Sequence, residues 1–163
     1  HGERYQYDFT NFISIHKKIK ITCQEHGDFY QSLANHLYNY TNCPKCMVSK
    51  GENEIIRYLS CYQIKYEMQK TFSFVINPKT GRKLKFDFYL PDYNLLIEYD
   101  GATHFQPWSD SVRAQQVFKD GNLRDAIKDK LCHDHNMPLV RITYRNFKNI
   151  SVILTQILNL YLI

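Results

Sequence analysis

The sequence predicts an α/β fold: a mixed sheet flanked by helices, preceded by a small β-rich module. Three observations carry that expectation. Cysteines and histidines pair up in the first third, as Cys23-x-x-His26 and Cys43-x-x-Cys46. Segments with helical apolar spacing then alternate with short runs rich in β-branched and aromatic residues. Two of those runs carry carboxylates among apolar neighbours, Asp87 in Leu84–Leu90 and Glu98 and Asp100 in Leu95–Asp100.

Taken in order, residues 1–48 hold short alternating apolar runs, with Gly27 at a turn, and close on Cys43-Pro44-Lys45-Cys46. Ser49-Lys50-Gly51-Glu52 then reads as a capping box, in which the Ser oxygen satisfies a free amide and the Glu reaches back. The helix it opens places Ile55, Ile56, Leu59 and Tyr62 on one face, so a second domain is expected over 49–163. Strands follow at Thr71–Ile76, Lys83–Leu90 and Asn94–Tyr99, with turns at Asn77-Pro78-Lys79-Thr80-Gly81 and Pro91-Asp92. Asp120-Gly121-Asn122 offers a cap for a helix through about His135, which Met137-Pro138 stops. Leu139–Thr143 is a further strand, and Phe147–Leu160 a closing helix. Helix, three strands, helix, strand, helix makes a mixed sheet flanked by helices.

Bulk properties narrow the classes. The 163 residues can bury a real core, and 15% aromatic content suits a folded chain. A net charge of +5 permits a polyanionic partner without requiring one. No run of 18 apolar residues exists, so no membrane span is expected. His1-Gly2-Glu3-Arg4 carries neither an initiator Met nor a signal pattern, so a fragment or processed chain is expected. Five cysteines without a secretory signal argue against a disulfide framework. They point to an intracellular, reducing compartment, the cytoplasm or nucleus of a host, with phage or virus encoding included.

The two cysteine-bearing pairs can chelate one ion, and thiolate plus imidazole donors suit tetrahedral Zn2+. Four protein ligands leave no position for water, so such a zinc is structural. Three cysteines need one histidine: His26 has the knuckle spacing, and His36 is the alternative. Buried free cysteines are the bland reading, disfavoured because a segment under fifty residues with little core needs a staple.

Strand alternation sets Leu84, Phe86, Phe88 and Leu90 on one face and Asp87 on the other; Glu98 and Asp100 share a face of their own strand. A hairpin can bring the three acids together. Close carboxylates repel unless a cation neutralises them, and hard oxygen donors favour Mg2+ or Mn2+. His104, past Gly101, can accept a proton or add a ligand. Glu54, in the first turn of its helix, can point at the same edge. Asp125 and Lys128 share a helix face, Lys128 to stabilise a pentavalent phosphate and Asp125 to orient it or His104. The bland readings are an edge-strand surface acid for Asp87, and a solvated ladder of Glu98 and Asp100 with Arg82, Lys83 or Lys85. Phe105 and Trp108 can stack on bases or simply pack.

At these residues the chain resembles the PD-(D/E)XK nuclease superfamily, in the branch near very-short-patch repair endonucleases and phage-type homing endonucleases with an E-D-x-H-D pattern. The resemblance runs through Gly51-Glu52-Asn53-Glu54, Phe86–Pro91, Ile97–Phe105, Asp125-x-x-Lys128 and Leu139–Ile142. Cys23–Phe29 through Cys46 is similar to treble-clef-like zinc modules. The resemblance implies a restriction-endonuclease-like core, with Asp87 as central Mg2+ ligand and Glu54 as the helix acid. Asp100 stands where the repair enzymes hold a histidine, and His104 matches the histidine after the Gly loop. Tyr99-Asp100 departs from the lysine-bearing ending of ordinary restriction enzymes, which leaves His104 or Lys128 as the base, His104 preferred. The expectation is a metal-dependent DNA endonuclease, nicking or cutting both strands, with Mg2+ (or Mn2+) on Asp87, Glu98 and Asp100. Its alternative is a non-cleaving nucleic-acid-binding module on a nuclease fold.

Overall fold

Strands β1 (Tyr5–Asp8), β2 (Lys18–Cys23) and β3 (Gly27–Ser32) form an antiparallel meander in that order. Alternation along β2 buries Ile19, Ile21 and Cys23, which meet Tyr5, Leu33 and Cys43 in a small core. The β2–β3 turn is tight: Cys23 pairs directly with Gly27, whose φ of +75° suits a residue without Cβ. A single turn at Ala34–Tyr38 and a short 3₁₀ helix at Pro44–Met47 complete this part. The computed structural model describes residues 2–38 and 41–161, which form two compact units, His1–Ser49 and Lys50–Ile163.

The second unit is mixed α/β. Helix α1 (Lys50–Cys61) begins immediately after Ser49. Strands β4 (Glu67–Ile76), β5 (Lys83–Leu90) and β6 (Leu95–Asp100) run antiparallel. Helix α2 (Val112–Asp134) then carries the chain across, so that β7 (Leu139–Thr143) lies parallel to β6. Helix α3 (Ile150–Asn159) closes the unit, and the sheet order is β4-β5-β6-β7. Ile55 and Leu59 of α1 and Leu154 and Leu158 of α3 pack with Phe88, Leu90, Leu95 and Ile97. A second cluster sets Val75, Leu84, Phe86 and Leu96 against Cys132, with Ile127 and Leu131 of α2. Among the described residues no helix is long and apolar enough to cross a membrane.

The expected order of elements matches, and the differences have local causes. The strand expected from Thr71 starts at Glu67, and its register with β5 shifts between Thr71 and Ile76. The apolar residues of β5 do not share one face: Leu84 and Phe86 join the α2 cluster, Phe88 and Leu90 the other. The change falls at Asp87, opposite Gln69, which takes a φ of +53° within β4. Helix α2 begins at Val112, capped by the Ser111 side chain accepting from the Ala114 amide, and passes through Asp120-Gly121-Asn122 without a break. An interior glycine costs a helix about 1 kcal/mol, and a helix of 23 residues packed on a sheet absorbs that. Tyr62 lies beyond the end of α1 and is 63% exposed; Tyr58 takes its place in the core.

Gly51 has a specific reason to be glycine. A Cβ there would fall 2.0 Å from the Tyr99 ring, far inside any van der Waals distance. The missing side chain lets the first turn of α1 lie against the end of β6, where the acids are.

Candidate functional site

In the first unit the four expected ligands converge. Cys23 ends β2, His26 sits in the tight turn before Gly27, and Cys43 and Cys46 flank and enter the 3₁₀ helix begun by Pro44. Their donor atoms all lie within 4.8 Å of one another. Cys23 Sγ is 3.6 Å from Cys46 Sγ, and His26 Nδ1 is 3.1 Å from Cys46 Sγ. A tetrahedral zinc with 2.3 Å bonds to sulfur requires sulfurs about 3.8 Å apart. The cluster can therefore bind zinc, and it is closed. Burial opposes ionisation of Cys23, but donation from His26 and from the Glu25 and His26 amides outweighs it and brings its thiol to about 6. Arg4 Nη2 lies 3.3 Å from Cys46 Sγ, where it would offset the negative charge of three thiolates around a Zn2+ ion. His36 is not at this cluster. It is fully buried, edge-on to Tyr5 at 4.7 Å, with Nδ1 3.2 Å from Gln31 Oε1. Its imidazole belongs to the core of the unit, as its aromatic neighbours Tyr7 and Phe29 dictate.

In the second unit the strand acids meet a set of cations. Glu98 is 2% exposed, opposite Arg141 in the parallel β6–β7 ladder. Lys128 of α2 binds its Oε1, and Arg141 Nη1 binds its Oε2 at 2.9 Å. The same Nη1 reaches Asp100 Oδ1 at 3.1 Å and Asp125 Oδ1 at 3.6 Å, while Nε holds Asp129 at 3.0 Å. His104 Nδ1 lies 2.9 Å from Asp125 Oδ2 and 3.5 Å from Asp100 Oδ1. Asp87 differs. Its Oδ2 accepts the Tyr99 amide at 3.0 Å and its Oδ1 a long contact from Gln69 at 3.5 Å. Among the described residues no lysine or arginine forms an ion pair with it.

Electrostatics separates these groups. Burial pushes Asp87 above the usual carboxylate range, and the nearby charges of Glu52 and Asp100 add to it against the Tyr99 amide and Lys128. Burial also raises Glu98, despite Lys128 and Arg141. Burial acts the same way on Asp125, but there His104, Arg141 and Lys128 prevail and hold it low. The Asp125 hydrogen bond raises His104 against its burial. Burial disfavours charge on Arg141, yet Glu98, Asp100 and Asp125 keep it charged at any working pH.

Of the expected residues, Asp87, Glu98, Asp100, His104, Asp125 and Lys128 come together. Glu54 does not: it pairs with Arg57 at 2.6 Å, one turn along α1. The acid of α1 whose field reaches Asp87 is Glu52. Glu98 and Asp100 are not on a solvated ladder with Arg82, Lys83 or Lys85; their partners are Lys128 and Arg141. The carboxylates also do not make a ready cage, since the Cys/His cluster is the sole group of three or more close metal-donor atoms among the described residues. Phe105 lies under Arg145 and beside Tyr144, while Trp108 stays 56% exposed.

Sequence reasoning missed Arg141 and Glu52. Arg141 carried a signal, a lone charge inside the apolar run Leu139–Thr143, of the kind that is buried only with partners. Glu52 was absorbed by its capping-box reading.

Comparison with known proteins gives no activity. Residues 1–47 match a family model described as "Protein of unknown function (DUF723)". The chain is 25% identical over 142 residues to "Uncharacterized protein 033L" of Invertebrate iridescent virus 3, covering 81% of this chain and 71% of the relative. It is 32% identical over 76 residues to "Uncharacterized protein 307L" of Invertebrate iridescent virus 6, covering 44% and 39%. With "Uncharacterized protein R97" of Acanthamoeba polyphaga mimivirus it shares 42% over 48 residues, covering 29% and 17%. No solved structure matches the chain.

Proposed function

We propose that Lys50–Ile163 is a divalent-metal-dependent DNA endonuclease with a restriction-endonuclease-like core, and that His1–Ser49 is a treble-clef-like structural zinc module attached to it. One observation carries the reading. Asp87 is a half-buried carboxylate that, among the described residues, forms no ion pair with a basic side chain, set beside a network in which Lys128 and Arg141 are engaged by Glu98 and Asp100. A charge left over in that position needs a cation.

The donor set suits Mg2+ or Mn2+ in one particular way. Mg2+ keeps several waters and is held by one or two carboxylates plus substrate phosphate rather than by an all-protein cage. Asp87 with Asp100 meets that requirement, and Glu98, both of whose oxygens are engaged, is moved from ligand to support. When bound, such an ion polarises the scissile phosphate and acidifies a water. The chain's own residues do the rest. With Nδ1 committed to Asp125, His104 presents Nε2 as its basic nitrogen, fit to take a proton from the attacking water. Lys128 brings positive charge to the same edge, where charge develops on the phosphate. Relatives in three viruses support a viral origin, and on this reading the enzyme acts inside a host cell.

A second reading, a non-cleaving nucleic-acid-binding module, is favoured by the double ion pairing of Glu98, which engages both oxygens of an acid expected to hold the metal. The test is cleavage of supercoiled plasmid and of mismatched, nicked and single-stranded oligonucleotides with added Mg2+ or Mn2+. Asp87→Asn should lower cleavage by about three orders of magnitude, roughly 4 kcal/mol in the barrier. It should also raise the melting temperature, because a buried carboxylate with a raised pKa destabilises the fold at neutral pH. If no metal supports cleavage while DNA binding persists, the binding module is the answer.

A further inference from the structure

We propose that the free part of the β4–β5 hairpin is a duplex-binding arm that grips DNA phosphates to one side of the cut. This rests on the DNA reading above but adds a site to it. The inter-strand pairs of β5 with β6 cover Phe88 to Leu90, whereas its pairs with β4 continue out to Lys83. Residues 71–86 therefore form a two-stranded ribbon that continues past the sheet. Val75, Leu84 and Phe86 anchor its inner face in the α2 cluster. Its outer face and turn expose Thr71, Ser73, Lys79, Arg82, Lys83 and Lys85.

The charge pattern is one-sided. Between Glu67 and Asp87 the sequence holds five basic residues and no acidic one. Lys70 is spent on Glu67; among the described residues the other four, Lys79, Arg82, Lys83 and Lys85, have no acidic partner. Elsewhere in this unit Arg57, Lys128, Lys130 and Arg141 are each matched to a carboxylate, and the basic residues outside those pairs, such as Lys50, Lys65, Arg113 and Lys148, are spread along the chain rather than gathered in one acid-free stretch. Four unmatched cations interleaved with Ser and Thr hydroxyls are a phosphate-binding surface, and a two-stranded ribbon is the right width for a major groove. The ribbon is also continuous with the site. Lys85 stands two residues before Asp87 on β5, and Arg82, just ahead of that strand, five, about 16 Å away at roughly 3.3 Å per residue. That distance spans about five base pairs at 3.4 Å each, so the arm contacts phosphates about that far from the one facing Asp87.

The measurement is binding of the full chain carrying Asp87→Asn to a labelled DNA duplex, as a function of salt. Changing Lys79, Arg82, Lys83 and Lys85 together to Gln should lower affinity roughly 100-fold at low salt and reduce the slope of log K against log salt by about three. The pair Lys79→Gln/Arg82→Gln lies in the turn, outside both strands, and keeps the test alive if the fourfold variant misfolds. Arg57→Gln/Lys130→Gln removes the same charge from sites already matched to acids and should leave the slope unchanged. An unaltered slope in the arm variants, an equal loss in the control pair, or no duplex binding by the parent chain overturns the proposal. Cleavage is read separately. A chain that cuts DNA but keeps its slope refutes the arm alone; a chain whose slope falls but that never cuts refutes the nuclease alone.

Discussion

The two clusters of this protein are built in opposite ways. In the first unit, soft donors come in sequence-adjacent pairs, and two short turns present them to one point. In the second, charges from α1, β5, β6, α2 and β7 meet only because a sheet and three helices pack together. The first cluster is closed: four donors that can hold one ion, with no position left for water. The second is unequal. Arg141 and Lys128 pair with Glu98, Arg141 also reaches Asp100, and among the described residues Asp87 takes hydrogen bonds from amides and no ion pair. The first cluster can spend all of its valence on the protein, whereas the second leaves part of one carboxylate's capacity unspent.

That contrast can be broken by experiment, most drastically in the first unit. Chelation of zinc, or Cys43→Ser, should abolish the cooperative fold of His1–Ser49, because two of the ligands are themselves core residues and structural zinc supplies folding energy outright. Circular dichroism and metal analysis of the full chain would check this; retention of the β1–β3 amide protection without metal would overturn it. The helices of the second unit should persist, since they have a core of their own.

In the second unit the largest effect is expected from Arg141→Gln. It leaves Glu98 with Lys128 alone and strips Asp100 of its arginine, so it should cost about 3 kcal/mol in urea unfolding, the lower end for a broken buried pair. A loss under 1 kcal/mol (about that of a surface pair) would mean that the network is solvent-screened and the contrast with Asp87 is overdrawn.

The smallest effect concerns pH. Asp125 is held low in the folded chain, so its contribution is present above the unfolded value near 3.9 and lost as pH falls through the folded one. His104 is held high, so its contribution is full below about 6.5 and lost as pH rises through the folded value. The pair therefore stabilises most between about pH 4 and 6.5, by no more than about 1 kcal/mol given its partial exposure. Asp125→Asn should lower the melting temperature within that window and flatten its decline at the two edges. An unchanged profile would show that His104 titrates independently of Asp125.

Much of this was legible in the sequence. Period-two and period-3.6 patterns placed the strands and helices of the second unit in the right order, and x-x spacing picked out all four residues of the Cys/His cluster, because both signals are local. The errors came where a local signal had two readings. Asp120-Gly121-Asn122 resembles a cap but lies inside α2, whose real cap is Ser111. Leu84 to Leu90 alternates like a one-faced strand but changes clusters at Asp87.

By itself the sequence determined which residues could chelate and which segments would be apolar on one side, since chelate bite and side-chain alternation depend on neighbours along the chain. Only the tertiary structure decided which acids face one another. Glu52 and Glu54 sit about 200° apart around a helix, and nothing in the chain tells which of them points at β5 until Gly51 seats α1 against Tyr99. Arg141 is likewise one charge in an apolar strand until parallel pairing sets it opposite Glu98. Pairing across elements is a property of packing, and packing is where the reserve of charge on Asp87 was set.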